Sequence, residues 1–203
     1  MMLLSDKKKI LFIGAHTDDV ELSCGGTIHK LIQAGHDVRV YVFSYVNDMT
    51  LLLEHQRSML ELGVDNYILN TYDTRTMSYY RQSLLSDLCV YRSSFQPDII
   101  FTHDPADIHQ DHSVVGQETL RAFKYTNILS YMHPWNGSFN PNYFVSLSKG
   151  NVDAKINACK QYDSQSHRAY MSEDMIKVNS TYYTNQAPYD HYCEAFKVYS
   201  IYD

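Results

Sequence analysis

The strongest constraint on the fold is an apolar run that ends in a polar corner. Residues 10–15 are apolar or glycine, and His16, Asp18 and Asp19 follow before a helix-type pattern begins at Glu21. A short apolar run of this kind is typical of a strand that is buried on both faces of a parallel sheet. We therefore expect this first corner at the carboxyl end of such a strand.

Strand-type and helix-type segments alternate through the first two thirds of the chain. Strands are predicted at 9–15, 37–44, 66–69, 98–102 and 127–132, and helices at 21–34, 51–62, 80–94 and 113–123. This alternation predicts an α/β fold, a Rossmann-like three-layer sandwich with a mostly parallel sheet. Later segments predict strands at 143–147 and 193–199 and helices at 151–162 and from about 172. At this length, with no linker or repeat, we expect one domain over residues 1–203.

A second polar corner follows the predicted strand at 98–102. Within ten residues it holds His103, Asp104, Asp107, His109, Asp111 and His112. In open α/β sheets, ligands bind outside the carboxyl ends of the strands. The two corners are therefore expected to meet at one edge of the sheet and to form a site together.

The residue types in the two corners suit a metal ion. His16 and Asp19 are spaced to converge across a turn, and His112 can supply a third ligand. Two imidazoles, one carboxylate and an open position fit hydrolytic zinc or another divalent transition metal. Asp18 would then act as a base, and His109 would face the substrate. Helix capping by the two aspartates and an ordinary polar loop explain the same residues and stay open at this point.

Composition argues against several other classes of protein. The net charge of −6 disfavours a nucleic-acid binder that neutralises phosphates. The four cysteines are scattered without a CxxC pair, and together with the absence of a signal-like N-terminus they predict reduced thiols and a cytoplasmic location. No apolar run is long enough to span a membrane. Gly25-Gly26 lacks the other residues of a phosphate loop, so we expect these glycines to pack against the sheet.

Two motifs carry a resemblance to a known family. Residues 15–26 resemble the AHPDDExxLGCGG signature of the PIG-L/LmbE-like zinc deacetylases, and residues 97–112 resemble their PDxVxT…HPDH motif. Weaker similarity continues at 54–64, 139–147, 155–165 and 194–196, so it covers nearly the whole chain. The resemblance implies a zinc-dependent hydrolase that removes an N-acetyl group from a small N-acetylglucosamine-type conjugate and releases acetate and a free amine.

The resemblance also implies roles for individual residues. His16, Asp19 and His112 correspond to the ligands of one zinc ion per chain, although another divalent transition metal is possible. Asp18 corresponds to the general base. His109 corresponds to the group that stabilises the oxyanion and protonates the leaving amine, with Asp111 as its support.

Three further residues are candidates for substrate binding. Arg57 and Asp73 could reach sugar hydroxyls at the pocket edge, and Trp135 could stack on a pyranose ring. For each of them an ordinary surface contact or packing role is the alternative.

The chain departs from the family motifs at three positions. Thr17 and Gln110 stand where the family has proline, and Val20 stands where it has an acidic residue, so no expected ligand is lost. The alternatives are a metal-dependent amidase acting on a non-sugar acyl amide such as a thiol conjugate, a phosphoesterase, a nucleotide-binding module and a catalytically silent relative. The sequence leaves the oligomeric state open, and a homo-oligomer is among the possibilities.

Overall fold

The computed structural model describes residues 6–134, 136–186 and 191–202. The strands are β1 Lys9–His16, β2 Asp37–Ser44, β3 Asn66–Leu69, β4 Ile99–Thr102, β5 Asn127–Tyr131, β6 Tyr143–Leu147 and β7 Tyr192–Ser200. The helices are α1 Asp19–Gln33, α2 Met49–Leu62, α3 Arg81–Phe95, α4 Gln110–Ala122, α5 Lys149–Lys160 and α6 Glu173–Tyr182. Short 3-10 turns lie at Met77–Tyr80, Asp163–Gln165 and Ala169–Met171. Within these described ranges, each helix is too short or too polar to cross a membrane.

The strands form one mixed sheet in the order β3-β2-β1-β4-β5-β7-β6. Strands β3, β2, β1, β4 and β5 are parallel, whereas β7 runs antiparallel to both of its neighbours. The predicted α/β class with a mostly parallel sheet is confirmed. The position of β7, the last strand of the chain, between β5 and β6 is a feature that the sequence pattern did not predict.

Helices cover both faces of this sheet. Phe12 of β1 packs into an apolar cluster with residues of α1 and α5, whereas Leu11 and Ile13 face a second cluster with residues of α3 and α4. Helix α5 packs on both α1 and α2, and α3 packs on α4. The apolar run at 10–13 is fully buried because both of its faces are covered, as the continuous apolar pattern predicts.

Gly25 and Gly26 allow α1 to approach α5 and the strands β6 and β7 closely. A Cβ atom on Gly25 would lie 3.0 Å from Cγ of Lys155, and one on Gly26 would lie 2.5 Å from Cδ1 of Leu147. The N–H of Gly26 donates to Oε1 of Glu194 over 3.1 Å, and Lys155 Nζ donates to the same oxygen over 2.7 Å. These glycines therefore pack against a buried ion pair, as expected from the missing phosphate-loop residues.

The buried ion pair predicts a large stability effect. Replacing Glu194 by Gln leaves the ammonium of Lys155 buried without a counter-charge, because both side chains are only 4% exposed. We expect Glu194→Gln to lower the free energy of unfolding by about 3–5 kcal/mol, measured by urea denaturation. The exposed pair Lys149–Asp153 offers a control, and Asp153→Asn should cost no more than about 1 kcal/mol. Equal small losses in both variants would contradict this account of Glu194.

Strands β1 and β4 are neighbours, although the chain leaves β1 towards β2. The strand order therefore reverses between β1 and β4, and such a reversal opens a crevice outside the carboxyl ends of the two strands. The first corner follows β1 and the second follows β4, so both corners lie at this crevice.

Candidate metal centre

Three neighbouring strands have a histidine at or just beyond their carboxyl ends, at this edge of the sheet. His16 closes β1, His103 follows β4, and His133 lies two residues beyond the end of β5. Asp19 begins α1 directly beside them, and His112 lies in the first turn of α4. The parallel strand order therefore places imidazoles from distant parts of the chain around one carboxylate.

Asp19 lies at the centre of this cluster. Its Oδ2 is 3.5 Å from Nδ1 of His16 and 3.0 Å from Nε2 of His103, and its Oδ1 is 3.4 Å from Nε2 of both His112 and His133. Oδ2 also accepts a 2.7 Å hydrogen bond from the backbone N–H of His16. Burial favours the neutral acid, but His112, His103 and His16 outweigh it and hold the pKa of Asp19 well below its usual range.

Asp111 holds the far side of the His16 ring. Its Oδ2 lies 3.0 Å from Nε2 of His16 and accepts a 2.6 Å hydrogen bond from the backbone N–H of Arg75. The family motif predicts that this carboxylate supports His109; instead it contacts His16, and only the backbone N–H of Asp111 reaches His109. Asp111 points back towards the end of β1 and contacts Nε2 of His16. Nδ1 of the same ring therefore faces Asp19.

His112 is oriented in a similar way by the loop before α4. Its Nδ1 lies 3.1 Å from Oδ2 of Asp107, and the same oxygen accepts a 2.9 Å hydrogen bond from the side-chain amide of Asn136. A carboxylate on the remote nitrogen of a ligating histidine fixes its orientation and increases its basicity. Nε2 of His112 therefore faces Asp19, and its lone pair can bind a cation.

The spacing of these donor atoms fits a divalent transition metal. A tetrahedral ion with bonds of about 2.0–2.2 Å holds neighbouring ligand atoms about 3.3–3.6 Å apart. Oδ2 of Asp19 lies 3.5 Å from Nδ1 of His16, and its other oxygen, Oδ1, lies 3.4 Å from Nε2 of His112, so each of these two pairs falls in that range. Burial opposes protonation, yet the nearby carboxylates raise the pKa of His16 to about 10 and that of His112 to about 9, so the cluster stabilises positive charge.

Asp18 turns the chain from β1 into α1. Its backbone is left-handed, with φ of 82°, a conformation that aspartate tolerates better than most residues. The two aspartates therefore diverge, with Asp19 in the cluster and Asp18 on the wall of an adjoining pocket. Burial, together with the charges of Asp19 and Glu21, raises the pKa of Asp18 well above its usual range.

His109 is the N-cap residue of α4 and also faces the pocket. Its Nδ1 accepts a 3.2 Å hydrogen bond from the backbone N–H of Asp111. Burial, with the neighbouring His112 and His16, lowers the pKa of His109 to about 4. A neutral imidazole that accepts at Nδ1 carries its proton on Nε2, so His109 presents an N–H donor to a ligand.

The pocket beside the cluster has a volume of about 190 Å³. It is lined by His16, Thr17, Asp18, Asp19, Ser44, Val46, Leu51, Thr74, Arg75, His109, His112, His133, Gln165, Arg168 and Tyr170. All five residues assigned from the motifs to metal binding, base or oxyanion roles are in this set. Pockets that enclose a drug-sized ligand measure about 300–1,000 Å³, so this one encloses only a small part of a larger substrate.

Two of the three sequence-based candidates for substrate binding do not line this pocket. Arg57 lies on the exposed face of α2, because the helical period buries Ser58 and Met59 instead. Asp73 is exposed in the loop after β3, where its neighbours Thr74 and Arg75 reach the pocket. Trp135 lies outside the described residues.

Several pocket residues have no role in the motifs. His133 is a single histidine after a predicted strand, and only the adjacency of β4 and β5 makes it part of the cluster. His103 contacts Asp19 without lining the pocket, and it stands in the second corner, where the motifs assign it no function. Arg168 and Tyr170 lie in an irregular segment after α5, where no periodic pattern indicates which side chains point inward.

The two positions that depart from proline both make hydrogen bonds at this site. The backbone N–H of Thr17 donates to the carbonyl oxygen of Ser44 over 3.3 Å, and proline has no N–H to donate. The side-chain amide of Gln110 donates to the carbonyl oxygen of Arg75. These substitutions therefore tie the two corners to the end of β2 and to the loop after β3.

The position of Asp111 leads to a prediction for metal binding. Asp111→Asn removes the charge behind His16 and one of the acceptors that hold the Arg75 loop. Loss of such a supporting carboxylate costs about 10- to 100-fold in metal affinity. A competition titration of zinc against a chromophoric chelator measures this, with Asp153→Asn as a surface control. An unchanged affinity in Asp111→Asn would show that Asp111 does not support a ligand.

Comparison with known proteins places this site in a family. The sequence model described as PIG-L, GlcNAc-PI de-N-acetylase, matches residues 11–123. The uncharacterized deacetylase YaiS of Escherichia coli strain K12 is 32% identical over 171 residues, covering 78% of this chain and 92% of that protein. Diacetylchitobiose deacetylase of Thermococcus kodakarensis is 27% identical over 193 residues, covering 79% of this chain and 71% of that protein.

A solved structure shares the same architecture. The crystal structure of the conserved protein TT1542 from Thermus thermophilus matches with a TM-score of 0.81 and 20% sequence identity, covering 97% of each chain. At this identity the likeness shows the fold alone. The family match over more than half of the sequence, together with the 32% identical relative, shows that this chain belongs to the PIG-L family.

Proposed function

We propose that the protein is a zinc-dependent N-deacetylase that removes the acetyl group from an N-acetylglucosamine-type substrate. The observation that supports this most is the convergence of the two corners on one pocket. One oxygen of Asp19 lies at ligand spacing from His16 and the other at ligand spacing from His112, while Asp18 and His109 face the same space. Homologues that are named deacetylases support the reaction type, and zinc is the metal that this donor set suits best.

In this proposal His16, Asp19 and His112 hold the metal. When bound, a divalent ion supplies a Lewis acid that polarises the amide carbonyl and makes a water molecule a stronger nucleophile. Asp18 accepts a proton from the attacking water, for which a raised pKa suits it. The Nε2–H of His109 donates a hydrogen bond to the developing oxyanion.

The last step is departure of the amine. Asp18 holds the proton taken from water and faces the pocket, so it can return that proton to the leaving nitrogen. Nδ1 of His109 already accepts from a backbone N–H, so it is not a site for a second proton. We therefore assign oxyanion stabilisation to His109 and the return of the proton to Asp18. Acetate and a free amine are the products.

The substrate class rests on relatives and on pocket size. One relative is a diacetylchitobiose deacetylase, so its substrate is an N-acetylated amino sugar. A pocket of about 190 Å³ leaves most of a larger conjugate outside, which suits an acetyl group presented at the end of a sugar.

Acetate release tests the proposal. Zinc-loaded protein is incubated with N,N'-diacetylchitobiose and with N-acetylglucosamine, and N-acetylcysteine serves as a non-sugar amide. We expect enzyme-dependent acetate release from the sugars and at least about tenfold less from the thiol compound. Faster release from N-acetylcysteine would favour a non-sugar amidase, and no release from any amide would contradict the proposed function.

A further inference from the structure

His133 is a buried histidine that the proposed deacetylation does not use. It lies just beyond β5 and lines the pocket, yet its side chain is only 4% exposed. Its Nδ1 has no hydrogen-bond partner among the described residues. A buried polar atom without a partner is costly, and in a native protein it calls for an explanation such as a bound ion or a functional role. The ring must therefore gain its stabilisation at its other nitrogen, Nε2.

Nε2 of His133 faces the same oxygen of Asp19 as His112 does. Both imidazole nitrogens lie 3.4 Å from Oδ1 of Asp19. The two rings are nearly perpendicular, at 85°, with 4.7 Å between their centres. Ligand atoms around a tetrahedral ion with bonds of about 2.0–2.2 Å lie about 3.3–3.6 Å apart. Each of the two nitrogens therefore lies at ligand spacing from one shared carboxylate oxygen.

A direct hydrogen bond does not explain this spacing well. An N–H···O hydrogen bond measures about 2.7–3.2 Å, so a contact of 3.4 Å between His133 and Asp19 is too long for a strong one. A cation bound by the carboxylate and by the imidazole lone pairs accounts for the same distance. The buried ring would then have a strong partner at Nε2 in place of a weak one.

His103 contacts the same carboxylate but is not available as a ligand. Its Nε2 accepts a 3.1 Å hydrogen bond from the backbone N–H of Ala15 and lies 3.0 Å from Oδ2 of Asp19. Whether this nitrogen accepts from the main chain or donates to the carboxylate, it is already used. His103 also does not line the pocket. Of the two histidines that follow β4 and β5, His133 is therefore the candidate for a further ligand.

The loop after β5 holds His133 in this position. Its backbone N–H donates to the side-chain oxygen of Asn136, and the backbone N–H of Asn136 donates to the carbonyl oxygen of His133 over 2.9 Å. The side-chain amide of Asn136 donates to Oδ2 of Asp107 over 2.9 Å, and that oxygen also contacts Nδ1 of His112. One connected network therefore orients both rings towards Asp19.

We propose that His133 is a further protein ligand of the metal ion held by the first and second corners. The inference rests on the metal centre of the proposed function and goes beyond the motifs, which give His133 no role. Imidazole suits zinc and other divalent transition metals, so a third ring strengthens the preference for such an ion over magnesium or calcium. Catalytic zinc can expand to five ligands, so an additional histidine is compatible with hydrolysis.

The test counts the histidines bound to zinc by X-ray absorption spectroscopy at the zinc edge, with the zinc-loaded full chain. Imidazole rings scatter in a recognisable outer-shell pattern, so their number can be fitted. We expect three rings in the wild type and two in His133→Leu. The control is His36→Leu, at the opposite end of the sheet, which should keep three. His133→Leu should also bind zinc at least about tenfold more weakly in a chelator competition, since even a residue that only supports a ligand contributes about 10- to 100-fold.

Two results would overturn the inference. Two rings in the wild type would mean that His133 only neighbours the metal, and three rings in both the wild type and His133→Leu would mean that another histidine supplies the third. If His133→Leu does not fold, His133→Asn is measured in its place and the same counts apply. The count does not depend on catalysis. If no sugar is hydrolysed, the proposed deacetylation fails while the number of rings still decides the inference.

Discussion

The Asp18→Asn variant should fold and bind metal, but its kcat for deacetylation should be about 100- to 10,000-fold lower than that of the wild type. The amide has nearly the shape of the carboxylate but cannot accept a proton from water. Asp18 makes no side-chain cap hydrogen bond to α1, so the substitution removes no contact that supports the helix start. The loss should appear in kcat, because Asp18 acts on the attacking water and not on substrate affinity.

The control for this variant is Asp65→Asn. Asp65 is an exposed carboxylate between α2 and β3, outside the pocket. Acetate release and bound zinc are measured for the wild type and both variants. An Asp18→Asn enzyme within about threefold of wild-type kcat would rule out Asp18 as the base, whatever the metal content.

His112→Ala should lower metal affinity by more than about 100-fold, because even residues that only support a ligand contribute about 10- to 100-fold. His112 is buried between Asp107 and Asp19, so no water-exposed side chain can easily replace its Nε2. Zinc content after dialysis against dilute zinc should therefore fall well below one equivalent per chain, and activity should fall with it.

A histidine far from the site provides the control. His36 lies next to the start of β2, at the opposite end of the sheet, and accepts a hydrogen bond from the backbone of Lys8. His36→Ala should retain full zinc content. Full zinc content in His112→Ala as well would contradict its assignment as a ligand.

Much of the fold follows from local pattern, and the exceptions have physical causes. The five parallel strands were predictable because buried strands read as short apolar runs between helices. The insertion of β7 between β5 and β6 depends on long-range contacts, such as that of Glu194 with Lys155 and the N–H groups of α1, which no local window contains. Pairing between distant strands is set by tertiary packing and not by propensity.

Part of the candidate site was also predictable from the local sequence, and part depends on tertiary structure. The motifs indicate the residues of the two corners. The corners meet because they follow β1 and β4, which are adjacent where the strand order reverses. The direction of the Asp111 carboxylate was not predictable, since it depends on how α4 begins at His109. The helical period of α2 buries Ser58, the neighbour of Arg57. The same period indicates that Arg57 faces away from the pocket. Arg168 belongs to an irregular segment, for which burial can be read only from the structure.

The central claim is that the two corners form a metal centre that carries out deacetylation. Its most direct test is acetate release from N,N'-diacetylchitobiose by protein stripped with a chelator and then titrated with zinc, with bound metal measured in parallel. We expect activity to disappear on chelation and to return in proportion to zinc, reaching its maximum near one equivalent per chain. Full activity in protein that contains no bound metal would contradict the account.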